Sequence, residues 1–188
     1  MCSKCYSALE HLNPAVNRIV SAKNVYCAGV YSQNLQKLIR GLKYHNQSDL
    51  AYYLAKFMYE YWQQLTDAED YQIVPVPIYP TRLKKRKYNH MELVAQEFSK
   101  LSGCPVNSEL ISRIKDTKPQ YKLKRADRLI NLKNAFKVNP AKLDRRRRIL
   151  IIDDICTTGS TFEEMIREFE KNDIHDITCF AATTPFEE

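Results

Sequence analysis

Hydrophobic positions in the first third of the chain recur with the period of a helix. Four of them follow the spacing i, i+3, i+4, i+7: Leu35, Leu38, Ile39 and Leu42. This spacing predicts an amphipathic helix. A break with an N-cap at residues 46–49 precedes a second apolar stripe, made of Leu50, Leu54, Phe57, Met58, Tyr61 and Leu65. Aromatic residues at helical spacing pack in a core more often than they stack on bases, so we interpret them as core and interface residues.

Extended segments alternate with helical ones further along the chain. The segment YQIVPVP, residues 71–77, contains two prolines that exclude a helix. We predict a basic loop at residues 80–87, a helix from about Asn89 to Leu101, and a strand within residues 106–114. Residues 115–125 are basic and poorly periodic, which predicts a long exposed loop.

The last forty residues give the fold class. The segment at residues 148–153 contains an uninterrupted apolar run, residues 149–152, which is typical of a strand buried on both faces. A helix at residues 160–171 follows, with Ser160 and Glu163 as a predicted capping box, and then a strand at residues 174–184. Strand, turn, helix and strand form a right-handed crossover unit, so the pattern predicts an α/β protein with a mainly parallel sheet.

Composition narrows the class of protein. The chain has 188 residues, of which 44% are hydrophobic, so we expect one folded domain and no global disorder. No apolar run approaches the roughly 18–20 residues that span a bilayer, and no signal-peptide pattern begins the chain, so we expect a cytoplasmic protein without membrane insertion. The net charge of +7 suits an anionic partner such as phosphate, a nucleotide or nucleic acid.

Two of the six cysteines have the spacing of a zinc site. Cys2 and Cys5 are separated by two residues, as in a zinc knuckle, but a closed structural site needs four ligands. We therefore favour a remnant of a metal ribbon over a zinc ion bound at Cys2 and Cys5. For the other cysteines we predict free thiols.

The segment RRRRILIIDDICTTGSTFEEM, residues 145–165, carries the chemistry. A hydroxyl-rich turn at residues 157–161 lies between a strand and a helix N-terminus, where backbone amides bind phosphate. The carboxylates of Asp153 and Asp154 are able to accept hydrogen bonds from sugar hydroxyls or to hold Mg²⁺. Together these features predict a site for ribose 5-phosphate. The chain has four glycines and neither a GxxxxGK[ST] nor a GxGxxG motif, which excludes a P-loop and a dinucleotide fingerprint.

These residues carry a family resemblance. ILIIDDICTTGST resembles the phosphoribosyl pyrophosphate (PRPP) signature of type I phosphoribosyltransferases. LIRGLKYH, IVPVPIYPTRLKKRKYNHMELVAQ and SRIKDTKPQYKLKRADRLINLKNAF are similar to the ComF family, and the likeness extends from about Ala28 onward. Family members begin with a four-cysteine zinc ribbon, so we divide the chain into a partial zinc-ribbon-like segment, 1–27, and a phosphoribosyltransferase-type domain, 28–188. The family's usual Arg-Gly is replaced by Arg86-Lys87.

The resemblance implies a type I phosphoribosyltransferase fold, with a mainly parallel central sheet flanked by helices and a small helical N-terminal region. It implies that Asp153 and Asp154 are catalytic and orient ribose and Mg²⁺. It places the PRPP 5-phosphate at Thr157, Thr158, Gly159, Ser160 and Thr161. Candidates for contacts to pyrophosphate and for a flexible hood are Pro77, Ile78, Tyr79, Arg82, Arg113, Thr117, Gln120, Arg128 and Lys43. For the basic side chains a solvated surface position is the alternative, and for Lys43 it is equally favoured.

Three functions remain open from the sequence. The first is an enzyme of the pentosyltransferase class, which transfers phosphoribosyl to an acceptor that the sequence does not indicate. The second is a non-catalytic module that binds single-stranded DNA, together with DNA-uptake proteins, during competence. The third is a PRPP sensor. Arg145–Arg148 precede their strand at the end opposite the ligand, so we interpret them as a solvated or nucleic-acid-facing patch.

Overall fold

A five-stranded sheet lies at the centre of the protein. The structure, a computed structural model, describes residues 1–13, 18–65, 70–117 and 131–185. The strands in these residues are β1 (Arg18–Val20), β2 (Lys23–Val30), β3 (Tyr71–Pro75), β4 (Ile111–Arg113), β5 (Phe136–Val138), β6 (Arg148–Ile155) and β7 (Ile177–Thr184). The central sheet has the order β1-β2-β7-β6-β3, in which only β1 is antiparallel to its neighbour. The predicted α/β class with a mainly parallel sheet is therefore confirmed.

Helices cover both faces of this sheet. They are α1 (Ser3–Ser7), α2 (Gln33–Tyr44), α3 (Leu50–Trp62), α4 (Pro80–Arg86), α5 (His90–Ser102) and α6 (Ser160–Glu170). Successive side chains of β6 point to opposite faces. Leu150 and Ile152 pack with α2, α3 and α5, whereas Ile149 and Ile151 pack with α6 and the β4–β5 pair. The predicted burial of this strand on both faces is confirmed.

The two apolar stripes near the start of the chain form the predicted helices. The four periodic residues of α2 are all buried, at most 3% exposed. In α3, Tyr61 and Trp62 pack against Phe180 of β7, with ring centroids 5.9 and 5.4 Å apart. The interpretation of the α3 aromatics as core residues is confirmed for these side chains, whereas Tyr52 is 44% exposed.

Three predicted elements differ from those in the structure. The basic loop at residues 80–87 is largely a helix, α4, because Pro80 stands at its first position, where the missing N–H costs nothing. Strand β6 continues through the two aspartates to Ile155, since Asp153 and Ile155 still pair with β7. The final strand begins later than expected, at Ile177.

One predicted helix cap is also wrong. Gly159, at a φ of 78°, is the N-cap of α6, and Ser160 is already its first residue. The Ser160 hydroxyl therefore contacts Thr158 instead of completing a capping box with Glu163. The N-cap predicted within residues 46–49 is confirmed, since Asp49 is the N-cap residue of α3, although it has helical dihedral angles and its side chain makes no cap hydrogen bond.

The N-terminal segment packs on α3. The Tyr6 hydroxyl donates to Glu60, at 2.8 Å, and the His11 ring stacks on Phe57, with centroids 4.2 Å apart. The proposed division after residue 27 falls inside β2, and it stays a prediction. No helix among the described residues is long and apolar enough to cross a membrane.

The cysteine pair lies at the surface of this segment. Cys2 and Cys5 are exposed, with their sulfur atoms 3.1 Å apart. Within the described ranges, no group of three or more His, Cys, Asp or Glu side chains is placed to hold a metal ion. Zinc at Cys2 and Cys5 stays a prediction that needs further ligands.

Candidate active site

A pocket of about 820 Å³ lies at the carboxyl edge of the parallel strands. The residues that follow these strands line it: Tyr31 after β2, Pro77 after β3, Thr157 after β6 and Pro185 after β7. Open parallel sheets bind their ligands beyond this edge, because the loops that follow the strands converge there. The pocket is thus where the strand pattern predicts a site.

The lining is strongly basic. Among the described residues, six cationic side chains line the pocket: Lys43, Arg82, Lys85, Arg86, Lys87 and Arg113. Of the carboxylates in the described residues, only those of Asp153 and Asp154 also line the pocket. An excess of cations in a concave site attracts ligands that carry several negative charges.

The two aspartates point to opposite faces of β6. Asp153 has the parity of Ile151, on the α6 face, and Asp154 has the parity of Ile152, on the α5 face. Both still line the pocket, because it extends around the edge of the sheet. Their environments therefore differ even though they are neighbours in sequence.

Asp154 is held by two cation-capable side chains. The Lys43 ammonium lies 2.5 Å from its Oδ2 atom, and the same oxygen accepts a hydrogen bond from His90 Nε2 at 2.6 Å. Burial alone would raise the pKa of Asp154, but the Lys43 charge and the His90 contact hold this pKa well below its usual range. Asp154 is consequently an ionised and fixed carboxylate, and Lys43 is part of the site instead of a snorkelling surface lysine.

His90 is a site residue that the sequence analysis missed. Arg86 Nη1 donates to its Nδ1 atom at 2.9 Å, so Nε2 carries the proton that is donated to Asp154. Burial lowers the pKa of His90, which agrees with this neutral tautomer. Asn89 caps α5 and donates to the Val76 carbonyl at 3.1 Å, and this places His90 beside the end of β3. The sequence feature that could have indicated His90 is a histidine in the first turn of the helix that follows the proline-containing strand.

Among the described residues, Asp153 has no such partner. Its Oδ1 atom accepts the backbone N–H of Asp154 at 2.9 Å. Burial and the neighbouring Asp154 charge raise the pKa of Asp153 to about 7, and the Lys43 and Arg113 charges only partly oppose this. A cation or hydroxyl donors from a ligand would stabilise the ionised form.

Only some residues of the turn after β6 line the pocket. Thr157 and Thr161 line the pocket. Thr158 Oγ1 and Ser160 Oγ lie 2.6 Å apart, and Ser160 is only 2% exposed. The assignment of all five residues of this turn to the 5-phosphate stays a prediction.

Gly159 is required by the shape of this turn. Its φ is 78°, and a Cβ atom added there would lie 2.5 Å from Val20 Cγ2. We expect Gly159→Ala to lower the free energy of unfolding by about 2–4 kcal/mol, since left-handed backbone strain and a steric clash act together. Gly103→Ala is the matched control, because Gly103 has a φ of 76° with nothing within 4 Å. Urea denaturation of both variants measures the difference, and equal losses would contradict the clash.

Two of the candidates for pyrophosphate contacts, Arg82 and Arg113, meet at Thr117. Pro77, Ile78, Arg82 and Arg113 line the pocket, whereas Tyr79 is the N-cap of α4 and does not line it. Arg82 donates to the Thr117 carbonyl and Arg113 to the Thr117 hydroxyl. Burial and the nearby Arg82 charge lower the pKa of Arg113 to about 10. Two guanidinium groups held this close favour an anion between them. Gln120, Arg128 and most of the predicted hood lie outside the described residues.

Comparison with known proteins gives the family. No family model matches the chain. Competence protein F of Haemophilus influenzae is 32% identical over 94% of this chain and 81% of its own length. The chain belongs to the ComF family. DNA utilization protein YhgH of Salmonella typhimurium is 30% identical over 85% of the chain and 68% of its own length, and YhgH of Escherichia coli is 32% identical over 76% and 63%.

Membership of the ComF family confirms the resemblance found in the sequence. The departure at Arg86-Lys87 has a structural consequence. Lys87, where the resemblance predicts a glycine, ends α4 in the left-handed region at a φ of 71°. Glycine is the common residue at such a helix end, because it has no Cβ atom to clash.

Proposed function

We propose that this ComF protein is a Mg²⁺-dependent phosphoribosyltransferase that binds PRPP in the carboxyl-edge pocket. The observation that supports this most directly is the meeting of two carboxylates, a hydroxyl-rich turn and six cations at one edge of the sheet among the described residues. The ligand fits in three parts. Thr157, Thr161 and the N-terminus of α6 would bind the 5-phosphate, the two aspartates the ribose hydroxyls, and Arg82 with Arg113 the pyrophosphate.

The chemistry of the transfer follows from this placement. A nucleophile attacks the anomeric carbon as its bond to pyrophosphate breaks, and pyrophosphate leaves with the bonding electrons. Positive charge develops on the sugar ring in the transition state, and ionised Asp153 stabilises it at close range. Arg82 and Arg113 neutralise the leaving group, while Asp154, fixed by Lys43 and His90, orients a hydroxyl of the ribose.

The carboxylates differ in how well they fit Mg²⁺. Asp154 Oδ2 is already shared by Lys43 and His90, whose charge and proton repel a second cation. In the part of the chain that the structure describes, the Asp153 carboxylate has no such neighbour, and Mg²⁺ commonly uses one or two carboxylates together with substrate phosphates and water. Asp153 would therefore hold the ion, which would supply charge neutralisation at the pyrophosphate.

Calorimetric titration with PRPP and Mg²⁺ tests the proposal. We expect saturable binding that is tighter than that of ribose 5-phosphate, because only PRPP also contacts Arg82 and Arg113. Release of pyrophosphate in the presence of an acceptor would extend the result to catalysis. Binding of PRPP no tighter than that of ribose 5-phosphate would count against the pyrophosphate assignment, and absence of both would count against the function.

Binding of single-stranded DNA is the second candidate function. It is supported by the names of the relatives, a competence protein and two DNA utilization proteins. The net charge of +7 is compatible with it. Arg145 and Arg146 are exposed at the start of β6, whereas Arg148 lies over the Tyr71 ring at 4.2 Å and has a packing role. In either function we place the protein in the cytoplasm, as the sequence predicts.

Charge reversal tests this arginine surface. If DNA binds there, the Arg145→Glu/Arg146→Glu variant should lower the slope of log affinity against log salt by about 1.4, because each phosphate contact of a single strand contributes about 0.7. A Lys100→Glu/Lys171→Glu variant makes the same charge change on α5 and just after α6 and should leave the slope nearer to that of the wild type. Fluorescence anisotropy with a labelled oligonucleotide gives the measurement. Equal slopes for the two variants would place DNA elsewhere.

A further inference from the structure

One side of the pocket carries aromatic side chains that the PRPP assignment does not use. Tyr31, Tyr44 and Tyr88 line it, together with Asn46 and Met91. We call the surface formed by the three tyrosines the tyrosine wall. Tyr31 packs with side chains of α2, α3 and α5, Tyr44 ends α2, and Tyr88 immediately precedes the N-cap of α5.

Tyr44 is the most open of these residues. It is the last residue of α2 and is 60% exposed although it lines a pocket. The Arg86 guanidinium carbon lies 5.8 Å from the centroid of its ring. Arg86 is itself fixed by its bond to His90. The ring therefore has one cationic neighbour in a set position and ample surface left for a planar ligand.

A hydrogen bond holds Tyr88 in place. The Tyr88 hydroxyl donates to the Leu42 carbonyl at 2.7 Å, which connects the segment after α4 to the last turn of α2. Three cations from the end of α4 line the pocket beside it: Lys85, Arg86 and Lys87. The wall thus combines aromatic surface with positive charge, which suits an aromatic anion more than a neutral ring.

The tyrosine wall adjoins the predicted reaction centre. Lys43, the residue before Tyr44, contacts Asp154 at 2.5 Å. The Arg86 guanidinium, which lies near the Tyr44 ring, contacts His90, and His90 contacts Asp154. Two short chains of contacts therefore connect Tyr44 to the carboxylate that would orient the ribose.

We propose that the tyrosine wall is the acceptor subsite, and that it takes a planar nucleobase bearing an anionic group, with the ring stacked on Tyr44 and the anion near Lys85 and Lys87. This inference rests on the proposed phosphoribosyl transfer. A ring nitrogen of the base would attack the anomeric carbon, so that the N–C bond forms while the C–O bond to pyrophosphate breaks. The electron pair leaves with pyrophosphate, and the proton of the ring nitrogen passes to solvent.

Direct binding of small probes tests this subsite. Orotate serves as a planar anion, adenine as a neutral planar base, ribose 5-phosphate as an anion without a ring, and a thymidine oligonucleotide as single-stranded DNA. Each is titrated calorimetrically, with and without PRPP and Mg²⁺. Tyr44→Ala should weaken orotate binding about tenfold, the lower part of the range for loss of one base–aromatic stack, whereas Tyr44→Phe should retain it. Tyr52→Ala removes another exposed tyrosine, 44% exposed on α3, and should change nothing.

Three outcomes would overturn the inference. The first is orotate affinity that does not respond to Tyr44→Ala, or absence of orotate binding. The second is adenine binding as tight as that of orotate, which would show that the cations do not contribute to binding. The third is Tyr44-dependent binding of the oligonucleotide alone, which assigns the wall to a DNA strand. PRPP affinity is measured separately on the same variants. If PRPP does not bind but orotate still binds in a way that depends on Tyr44, the proposed function is refuted and the subsite is retained.

Discussion

Asp153→Asn is expected to weaken the binding of PRPP with Mg²⁺ by about 100-fold and at the same time to stabilise the folded chain. Both effects have one cause. The Asp153 carboxylate lies in a partly buried position next to the ionised Asp154, which raises its pKa to about 7. The folded protein holds this charge at a cost that only a ligand relieves, so asparagine removes the cost together with the ligand contact.

The stabilisation should depend on pH in a defined direction. An aspartate whose pKa in the folded state lies above its usual value of 3.8 lowers the stability of the folded state as the pH rises. The loss begins near the usual value and is complete above about 7. Asp153→Asn should therefore gain about 1–2 kcal/mol at pH 8 and markedly less at pH 5.

Urea denaturation in the presence of EDTA measures this gain without bound metal. Asp176→Asn is the control, because it makes the same substitution at an exposed aspartate. A lower free energy of unfolding for Asp153→Asn at pH 8 would contradict the prediction. It would mean that the attraction between Asp153 and Arg113 outweighs burial and the Asp154 charge.

Asp154→Asn should have the opposite effect on stability. It leaves the Lys43 ammonium, whose side chain is 20% exposed, without its counterion, and it weakens the hydrogen bond from His90. Removing one partner of a buried ion pair typically costs about 3–5 kcal/mol, and we expect about 3 kcal/mol here because Lys43 is partly accessible. Turnover of PRPP should be lost as well, since the carboxylate that orients the ribose is gone.

A double-mutant cycle separates the ion pair from other effects. Lys43→Met in the Asp154→Asn background should recover most of the lost stability, because the uncompensated charge is removed. It should not restore turnover. Lys37→Met makes the same change at an exposed position of α2 and should recover nothing. If Asp154→Asn and the double variant Lys43→Met/Asp154→Asn have equal free energies of unfolding, the Lys43–Asp154 pair is not the source of the lost stability.

The sequence by itself determined the class of fold and the location of the site along the chain. The stripe of α2, the apolar run of β6 and the Thr-Thr-Gly turn are local patterns, and each depends on residues a few positions apart. Periodicity assigns a residue to the inner face of its own helix or strand. A glycine in a tight turn can be predicted from the adjacent sequence, without knowing which residues it contacts in the fold. The local pattern gave the wrong element at residues 80–87, where a proline followed by basic residues indicated a loop, although a proline is also tolerated at the first position of a helix, as at the start of α4.

The tertiary structure alone decided which side chains share the pocket. His90 lies 64 residues before Asp154, and Lys43 comes from a different helix again, so no spacing rule relates them. Their contacts give Asp154 a fixed negative charge, whereas no described residue makes such a contact with Asp153. Two adjacent aspartates in a sequence do not reveal this difference. Alternation along β6 sends these two aspartates to opposite faces of the sheet, and the electrostatics of each face depend on elements brought there by folding.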